Sequence, residues 1–171
     1  MIALSRRGAL AALAGIAASA TLAPRLARAD DETLAPLLQA RDWLNGRPDA
    51  ASLAGKPVLV DVFTFDCINC KNVVPNLRRL HARSDGAFAI VGVHTPETPY
   101  ERIRSNVVAH LAEQGITWPV ALDNDERIWN AYGITAWPTQ LFFDRRGKLQ
   151  ATVVGDSQDD TVDATLRRLL A

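Results

Sequence analysis

The only two cysteines of the chain lie three residues apart, where an apolar run leads directly into a helical pattern. The run 58–63 predicts a strand buried on both faces, and apolar residues at helical spacing over 73–80 predict the helix. Cys67 is therefore expected at the helix start, where unpaired N–H groups and the helix dipole stabilise a thiolate. Cys70 lies one turn further on and can attack a disulfide made by Cys67. The spacing predicts a nucleophile and a resolving thiol that together form a redox-active disulfide.

Residues outside this stretch carry a resemblance to a known family. Asp61 lies six residues before Cys67, Pro75 five after Cys70, and Trp137-Pro138-Thr139 precedes a later apolar strand. Four motifs occur in family order: F-T-F-D-C-I-N-C, V-G-V-H-T-P-E, P-V-A-L-D-N-D and A-W-P-T. The chain resembles the thioredoxin superfamily in its TlpA-like branch, most closely the thioredoxin-like domain of DipZ-type proteins, over residues 42–155.

The resemblance implies an α/β, thioredoxin-like fold, with a central mixed β-sheet flanked by helices on both faces and a TlpA-like insertion over 99–122. The hydrophobic patterns agree with that fold. Further strands are predicted at 42–45, 88–93, 140–143 and 149–154, and further helices at 103–111, 128–132 and 162–170. Because a helix separates the strands 58–63 and 88–93, these two are expected to be parallel and joined by a right-handed crossover.

Asp61 is an acid inside an otherwise apolar strand. Burial of an ionised carboxylate is costly, so its pKa should rise, and the group can then take the proton of Cys70 as that thiol attacks. The buried acid of the resembled family occupies the matching position. The alternative is a hydrogen-bonded, chemically inert aspartate at a strand edge.

The Trp137-Pro138 pair is the predicted substrate-binding loop. The resemblance implies a cis peptide bond before Pro138 and backbone groups of Trp137 that pair with an extended substrate as an added strand. From the residues alone, Pro138 is equally an ordinary proline at the start of a strand.

Three residues next to Cys67 are predicted to tune the redox couple. An ionised Asp66 opposes a second negative charge on Cys67, which makes the thiolate less stable and the couple more reducing. Ile68 and Asn69 bring no positive charge between the cysteines. These residues favour a reductase over a strong oxidase, although Asp66 is equally interpreted as a solvated charge of little consequence.

No metal or cofactor is predicted. His81 lies about 16 Å along a helix from Cys70, too far to share a zinc ion with it. Lys71 stands where covalent haem attachment needs a histidine. His94 follows a predicted strand at its carboxyl end, where α/β sheets carry sites. A structural histidine with satisfied hydrogen bonds is nevertheless the favoured interpretation of His94.

Two other function classes remain open. Thr64-Phe65-Asp66-Cys67 copies the T-x-x-C part of the peroxiredoxin pattern, but the proline expected before Thr64 is absent. Such a protein would be a thiol peroxidase. The cysteine pair can also bind Cu(I) as soft ligands in a non-enzymatic copper or apocytochrome chaperone. The absence of methionine beyond Met1 weakens a copper site.

Residues 1–29 are predicted to be a secretory signal peptide. Arg6 and Arg7 precede a small-residue apolar run over 8–23, and Ala27-Arg28-Ala29 supplies a cleavage signal. Ser5-Arg6-Arg7 hints at twin-arginine export. The run is shorter than the ~20 apolar residues of a membrane span, so no stable membrane insertion is expected after cleavage.

Cleavage would leave a mobile N-terminal segment at 30–41 and a thioredoxin-like domain at 42–171, soluble and periplasmic or otherwise exported. Its 15 basic and 19 acidic residues argue against nucleic-acid binding. The expected substrates are cysteine-containing exported proteins, and cytochrome c maturation is among the roles that the resemblance suggests. The resemblance also implies a membrane electron donor of the DipZ type.

Overall fold

The computed structural model describes residues 33–171, so the predicted signal peptide lies outside the described residues. Within them, the chain forms six strands, six α-helices and one 3-10 turn at Pro99–Arg102. The strands are β1 (Trp43–Leu44), β2 (Val58–Phe63), β3 (Ala89–His94), β4 (Val120–Leu122), β5 (Thr139–Phe143) and β6 (Leu149–Val154). The helices are α1 (Ala35–Leu38), α2 (Ala50–Leu53), α3 (Ile68–Ala82), α4 (Arg104–Glu113), α5 (Arg127–Ala131) and α6 (Asp159–Leu170).

The strands form one mixed sheet in the order β1-β4-β3-β2-β5-β6. The central strand β2 pairs with β3 in parallel and with β5 in antiparallel orientation. The predicted mixed sheet and the parallel β2–β3 pair are therefore confirmed. The insertion over 99–122 contributes α4 and β4, and β4 in turn pairs with β1 at the edge of the sheet.

Helices cover both faces of the sheet, and every residue of β2 is buried beneath them. Leu59 and Phe63 belong to a core cluster with residues of α3, α4 and α6. The alternating residues Val58, Val60 and Val62 belong to a second cluster with residues of α1, α2 and α5. Full burial of each such side chain contributes about 2 kcal/mol to the free energy of unfolding.

The segment 33–41 differs from the mobile tail predicted for 30–41. Leu37 is fully buried in α1, and the Leu34 N–H donates to the Gly147 carbonyl at 3.2 Å. The Tyr132 hydroxyl donates to the Thr33 carbonyl at 2.8 Å. The described part of this segment, 33–41, is therefore packed, because its leucines cover one face of the sheet.

Candidate active site

The two cysteines lie in the first turn of α3, directly after the loop that follows β2. Cys67 is the N-cap residue, and its sulfur accepts a hydrogen bond from the Cys70 N–H at 3.4 Å. Cys67 is half-buried, whereas Cys70 is buried, and both are free thiols. The leading sulfur can therefore meet another molecule while the second one stays inside.

The environment of Cys70 keeps that thiol protonated. Burial raises its pKa strongly, the hydrogen bond with Cys67 and the charge of Asp61 add to the effect, and a backbone hydrogen bond from Thr64 opposes it. A neutral thiol is a poor nucleophile. Attack by Cys70 on a disulfide therefore needs a base.

Asp61 lies on the same face of β2 as Leu59 and Phe63, and it is buried. Burial raises its pKa to about 7, although the Gln140 amide, donating to Oδ1 at 3.3 Å, lowers it in part. An acid with that pKa is present in both protonation states near neutral pH. Since its charge also raises the pKa of Cys70, the two groups are electrostatically coupled.

The Trp137–Pro138 peptide bond is cis. Thr139 pairs with Val62, so Pro138 lies at the edge of the sheet where β2 leads towards Cys67. Trp137 is half-buried, packs against the same core cluster as Cys67, and lies with its ring centroid 4.4 Å from that of Trp129. These residues form an apolar wall at this edge of the sheet.

The residues predicted to tune the couple lie at the surface. The Asp66 carboxylate is exposed and lies 3.9 Å from the Lys71 ammonium group, which offsets part of its charge. Ile68 is 67% exposed, and Asn69 is exposed as well. An apolar side chain directly after Cys67 is thus available to a docking protein.

Glu101 is a site residue that the sequence reasoning missed. Its side chain is fully buried, accepts hydrogen bonds from the hydroxyl of Thr64 and from the N–H of Asp66, and also accepts from the N–H groups of Glu97 and Thr98. Although burial alone would raise its pKa, these four hydrogen bonds hold the pKa below the usual range. The carboxylate is therefore ionised, and it joins the loop before Cys67 to the turn after β3.

One sequence signal for Glu101 exists. Thr98 and Glu101 stand three residues apart and form a capping box at the 3-10 turn Pro99–Arg102. That pattern identifies the local role of Glu101. It carries no information about the contact with Thr64.

His94 is buried, but it is not the satisfied histidine expected. Both ring nitrogens lack a hydrogen-bond partner among the described residues. The ring lies between Phe63, at 5.4 Å and edge-on, and Phe65, at 5.6 Å and stacked. Burial lowers its pKa to about 4, so the imidazole is neutral. The expectation failed because these apolar rings supply neither a donor nor an acceptor.

Within residues 33–171, no three His, Cys, Asp or Glu side chains are placed to share a metal ion. Over the same residues, no helix has the length and apolar composition needed to cross a membrane. The hydroxyl of Thr64, the residue of the peroxiredoxin-like pattern, donates to Glu101.

Comparison with known proteins agrees with this geometry. Residues 46–169 match the model of the family described as Redoxin. Protein DipZ from Mycobacterium bovis and from Mycobacterium tuberculosis is 35% identical over 133 residues, which make up 75% of this chain and 19% of that protein. The chain therefore spans about a fifth of the length of these relatives.

Two relatives of similar length to this chain have thiol-disulfide names. Thiol-disulfide oxidoreductase YkuV from Bacillus subtilis is 27% identical over 130 residues, 75% of this chain and 88% of that protein. The crystal structure of a thiol-disulfide isomerase from Corynebacterium glutamicum is similar with a TM-score of 0.71 and 25% identity. The match covers 77% of this chain and 92% of that one.

Proposed function

Since this chain belongs to the redoxin family, in the TlpA-like branch of the thioredoxin superfamily, we propose that it is a thiol-disulfide oxidoreductase that reduces disulfides of exported proteins through Cys67 and Cys70. One observation carries the proposal. A half-buried thiol caps α3, and a buried, protonated thiol lies one turn behind it, coupled to an acid with a pKa of about 7.

The proposed reaction has two steps. The Cys67 thiolate attacks a substrate disulfide, so that a mixed disulfide forms and one substrate sulfur leaves as a thiolate with the electron pair. The Asp61 carboxylate then takes the proton of Cys70, and the Cys70 sulfur attacks the Cys67 sulfur. The bond to the substrate breaks, and the second substrate sulfur leaves as a thiolate. The substrate gains two electrons, and this protein ends as the Cys67–Cys70 disulfide with Asp61 protonated.

The direction of electron flow is proposed from charge. Oxidants of this class owe their strength to a stabilised reduced form. The ionised Glu101 and the exposed Asp66 both lie close to the loop of Cys67, and both oppose a further negative charge there. A reduction potential near that of thioredoxin, roughly −270 mV, is therefore expected, whereas roughly −120 mV would contradict the reductase direction.

The signal pattern over residues 1–29 supports export, and the DipZ relatives support the proposed partners. We propose that the signal peptide is removed and that residues 42–171 act as the thioredoxin-like domain. Substrates would be other exported proteins with cysteines, apocytochrome c included. A dithiol outside the cytoplasm needs a source of electrons, and a membrane protein of the DipZ type is the proposed donor.

Insulin reduction with dithiothreitol tests the proposal on protein lacking residues 1–29. We expect turnover by the wild type, none by Cys67→Ser, and trapped mixed disulfides in Cys70→Ser. Ser84→Ala, at the far end of the same helix region, serves as the control and should retain the wild-type rate. Wild-type rates in both cysteine variants would refute the mechanism. If Cys67 consumes peroxide at a rate far above that of simple thiols, the result would favour a thiol peroxidase. Tight Cu(I) binding without turnover would favour a copper chaperone.

A further inference from the structure

Asp61 and Gln140 lie directly opposite each other on neighbouring antiparallel strands. Both side chains are buried, and the Gln140 Nε2 donates to the Asp61 Oδ1 at 3.3 Å. A long polar amide in the centre of a sheet is expensive to bury unless its polar atoms are paired. Its position opposite the only buried acid of β2 therefore needs an explanation.

The second polar atom of Gln140 has no such pairing. Its Oε1 is buried and lacks a hydrogen-bond donor among the described residues. A buried amide oxygen without a donor destabilises a fold, and such atoms are rare in proteins. The unpaired oxygen belongs to the same amide group that already contacts the Asp61 carboxyl.

A protonated carboxyl group would supply the missing donor. A carboxylic acid and a primary amide can form a ring of two hydrogen bonds, in which the amide N–H donates to one carboxyl oxygen and the acid O–H donates to the amide oxygen. Neutral Asp61 can therefore satisfy both polar atoms of Gln140. Ionised Asp61 keeps the hydrogen bond from the Gln140 N–H, which is then charge-assisted and stronger.

We propose that Gln140 is a positioning residue that serves both protonation states of Asp61, donating to the carboxylate and accepting from the acid while the carboxyl group exchanges its proton with Cys70. The inference rests on the proposed function, because the proton moves in the resolving step described above. In that step the Cys70 S–H bond breaks, an Asp61 O–H bond forms, and the new O–H donates to Oε1. Gln140 itself neither gains nor loses a proton.

The groups that neighbour Asp61 support proton exchange between this one acid and the Cys70 thiol. On β3 the parallel partner of Asp61 is Gly92, which has no side chain, and on β5 the partner is Gln140. From α3, Cys70 belongs to the core cluster of this face, and its pKa responds to the charge of Asp61. With a pKa of about 7, Asp61 is present both as a carboxylate that can take the proton and as an acid that can return it near neutral pH.

The variant Gln140→Met removes both hydrogen bonds at nearly constant volume. The hydrogen bond that ionised Asp61 loses is stronger than the one that neutral Asp61 loses, so Asp61 should stay protonated to higher pH. Ellman's reagent separates the two steps, because Cys67 releases the first chromophoric thiol and Cys70 the second. In Gln140→Met the pH midpoint of the second release should rise by about one unit, with about fivefold slower release at pH 7. The first release should not change.

Two comparisons separate this role from packing. Phe142→Leu alters a buried residue on the same strand and face and should lower stability without moving the midpoint. In an Asp61→Asn background, Gln140→Met should slow the second release no further, because the exchange partner is gone. A packing role would instead slow it equally in both backgrounds.

An infrared measurement on the reduced protein detects the protonated form of Asp61 directly. The carbonyl stretch of protonated Asp61, identified by its loss in Asp61→Asn, should shift to higher frequency in Gln140→Met because the O–H has lost its acceptor. An unmoved midpoint, a slowing that persists in Asp61→Asn, or an unmoved band would overturn the inference. If Gln140→Met does not fold, Gln140→Glu keeps the length of the side chain, removes the N–H donor, and should also raise the midpoint. Absence of the first thiol release would refute the proposed function but not the contact between Gln140 and Asp61, since the infrared measurement of that contact needs no turnover.

Discussion

The carboxylate of Glu101 accepts a hydrogen bond from the hydroxyl of Thr64, a residue 37 positions earlier in the chain. The same side chain accepts from the N–H of Asp66 at 3.1 Å and from two N–H groups of its own turn. The loop that carries Cys67 is thus attached to the turn after β3 by one buried, ionised group. The position of the leading thiol therefore depends on a residue outside the Cys-x-x-Cys motif.

Glu101→Gln should lower the free energy of unfolding by about 2–4 kcal/mol, since an amide leaves part of this set of buried donors without a charged acceptor. Urea denaturation measures the change. Glu126→Gln is the control, because Glu126 is half-exposed and pairs with the exposed Arg102, and the expected cost is under about 1 kcal/mol. Equal losses in the two variants would contradict the role assigned to Glu101.

Asp61 should make the fold less stable as the pH rises. Its pKa is raised from the usual 3.8 to about 7, so between these values the folded state holds a proton that the unfolded state lacks. The free energy of unfolding therefore falls from pH 4 to pH 7 and is constant above, by up to about 4 kcal/mol. Asp61→Asn should be more stabilising at pH 8 than at pH 4.5 in denaturant titrations. A benefit independent of pH would show that Asp61 is not buried as an acid.

His94 should change the free energy of unfolding with pH in the opposite direction to Asp61. Its pKa is lowered from 6.5 to about 4, so between these values the unfolded state binds a proton that the folded state refuses. Stability is then lost as the pH falls through this window, by up to about 3 kcal/mol. His94→Leu should reduce the loss measured between pH 7 and pH 4. Because Asp61 and His94 oppose each other, a flat wild-type profile is consistent with both effects, and only unchanged slopes in the variants would refute them.

Trp137→Ala should weaken the docking of a protein disulfide without changing the chemistry of the thiols. We expect the KM for insulin to rise several-fold, because a half-buried aromatic wall beside the thiol loop is removed. The rate with Ellman's reagent, which is too small to need that wall, should stay near the wild-type value. Trp43→Ala is the matched control, since Trp43 is also half-buried but lies on the edge strand β1. A similar rise of KM in both variants would point to a general loss of packing.

The elements predicted from the sequence are those whose signals are local. The doubly apolar run 58–63 is the central strand, and Cys67 begins the helix that follows. Two expectations did not take distant neighbours into account. The segment 33–41 is packed because Gly147 and Tyr132 pair with its backbone, and His94 is unpaired because Phe63 and Phe65 surround it.

The amino-acid sequence was sufficient to predict that one thiol caps a helix and that a second lies one turn behind, because a helix start depends on residues only a few positions apart. It also predicted that β2 is buried on both faces, since apart from Asp61 its residues are apolar. Which groups surround the thiols depends instead on how the folded chain brings distant residues together. Glu101 meets Thr64 across 37 residues and Gln140 meets Asp61 across 79, and sheet register and loop packing alone bring such pairs together. Those contacts decide which buried polar groups are paired, and therefore where a proton can reside.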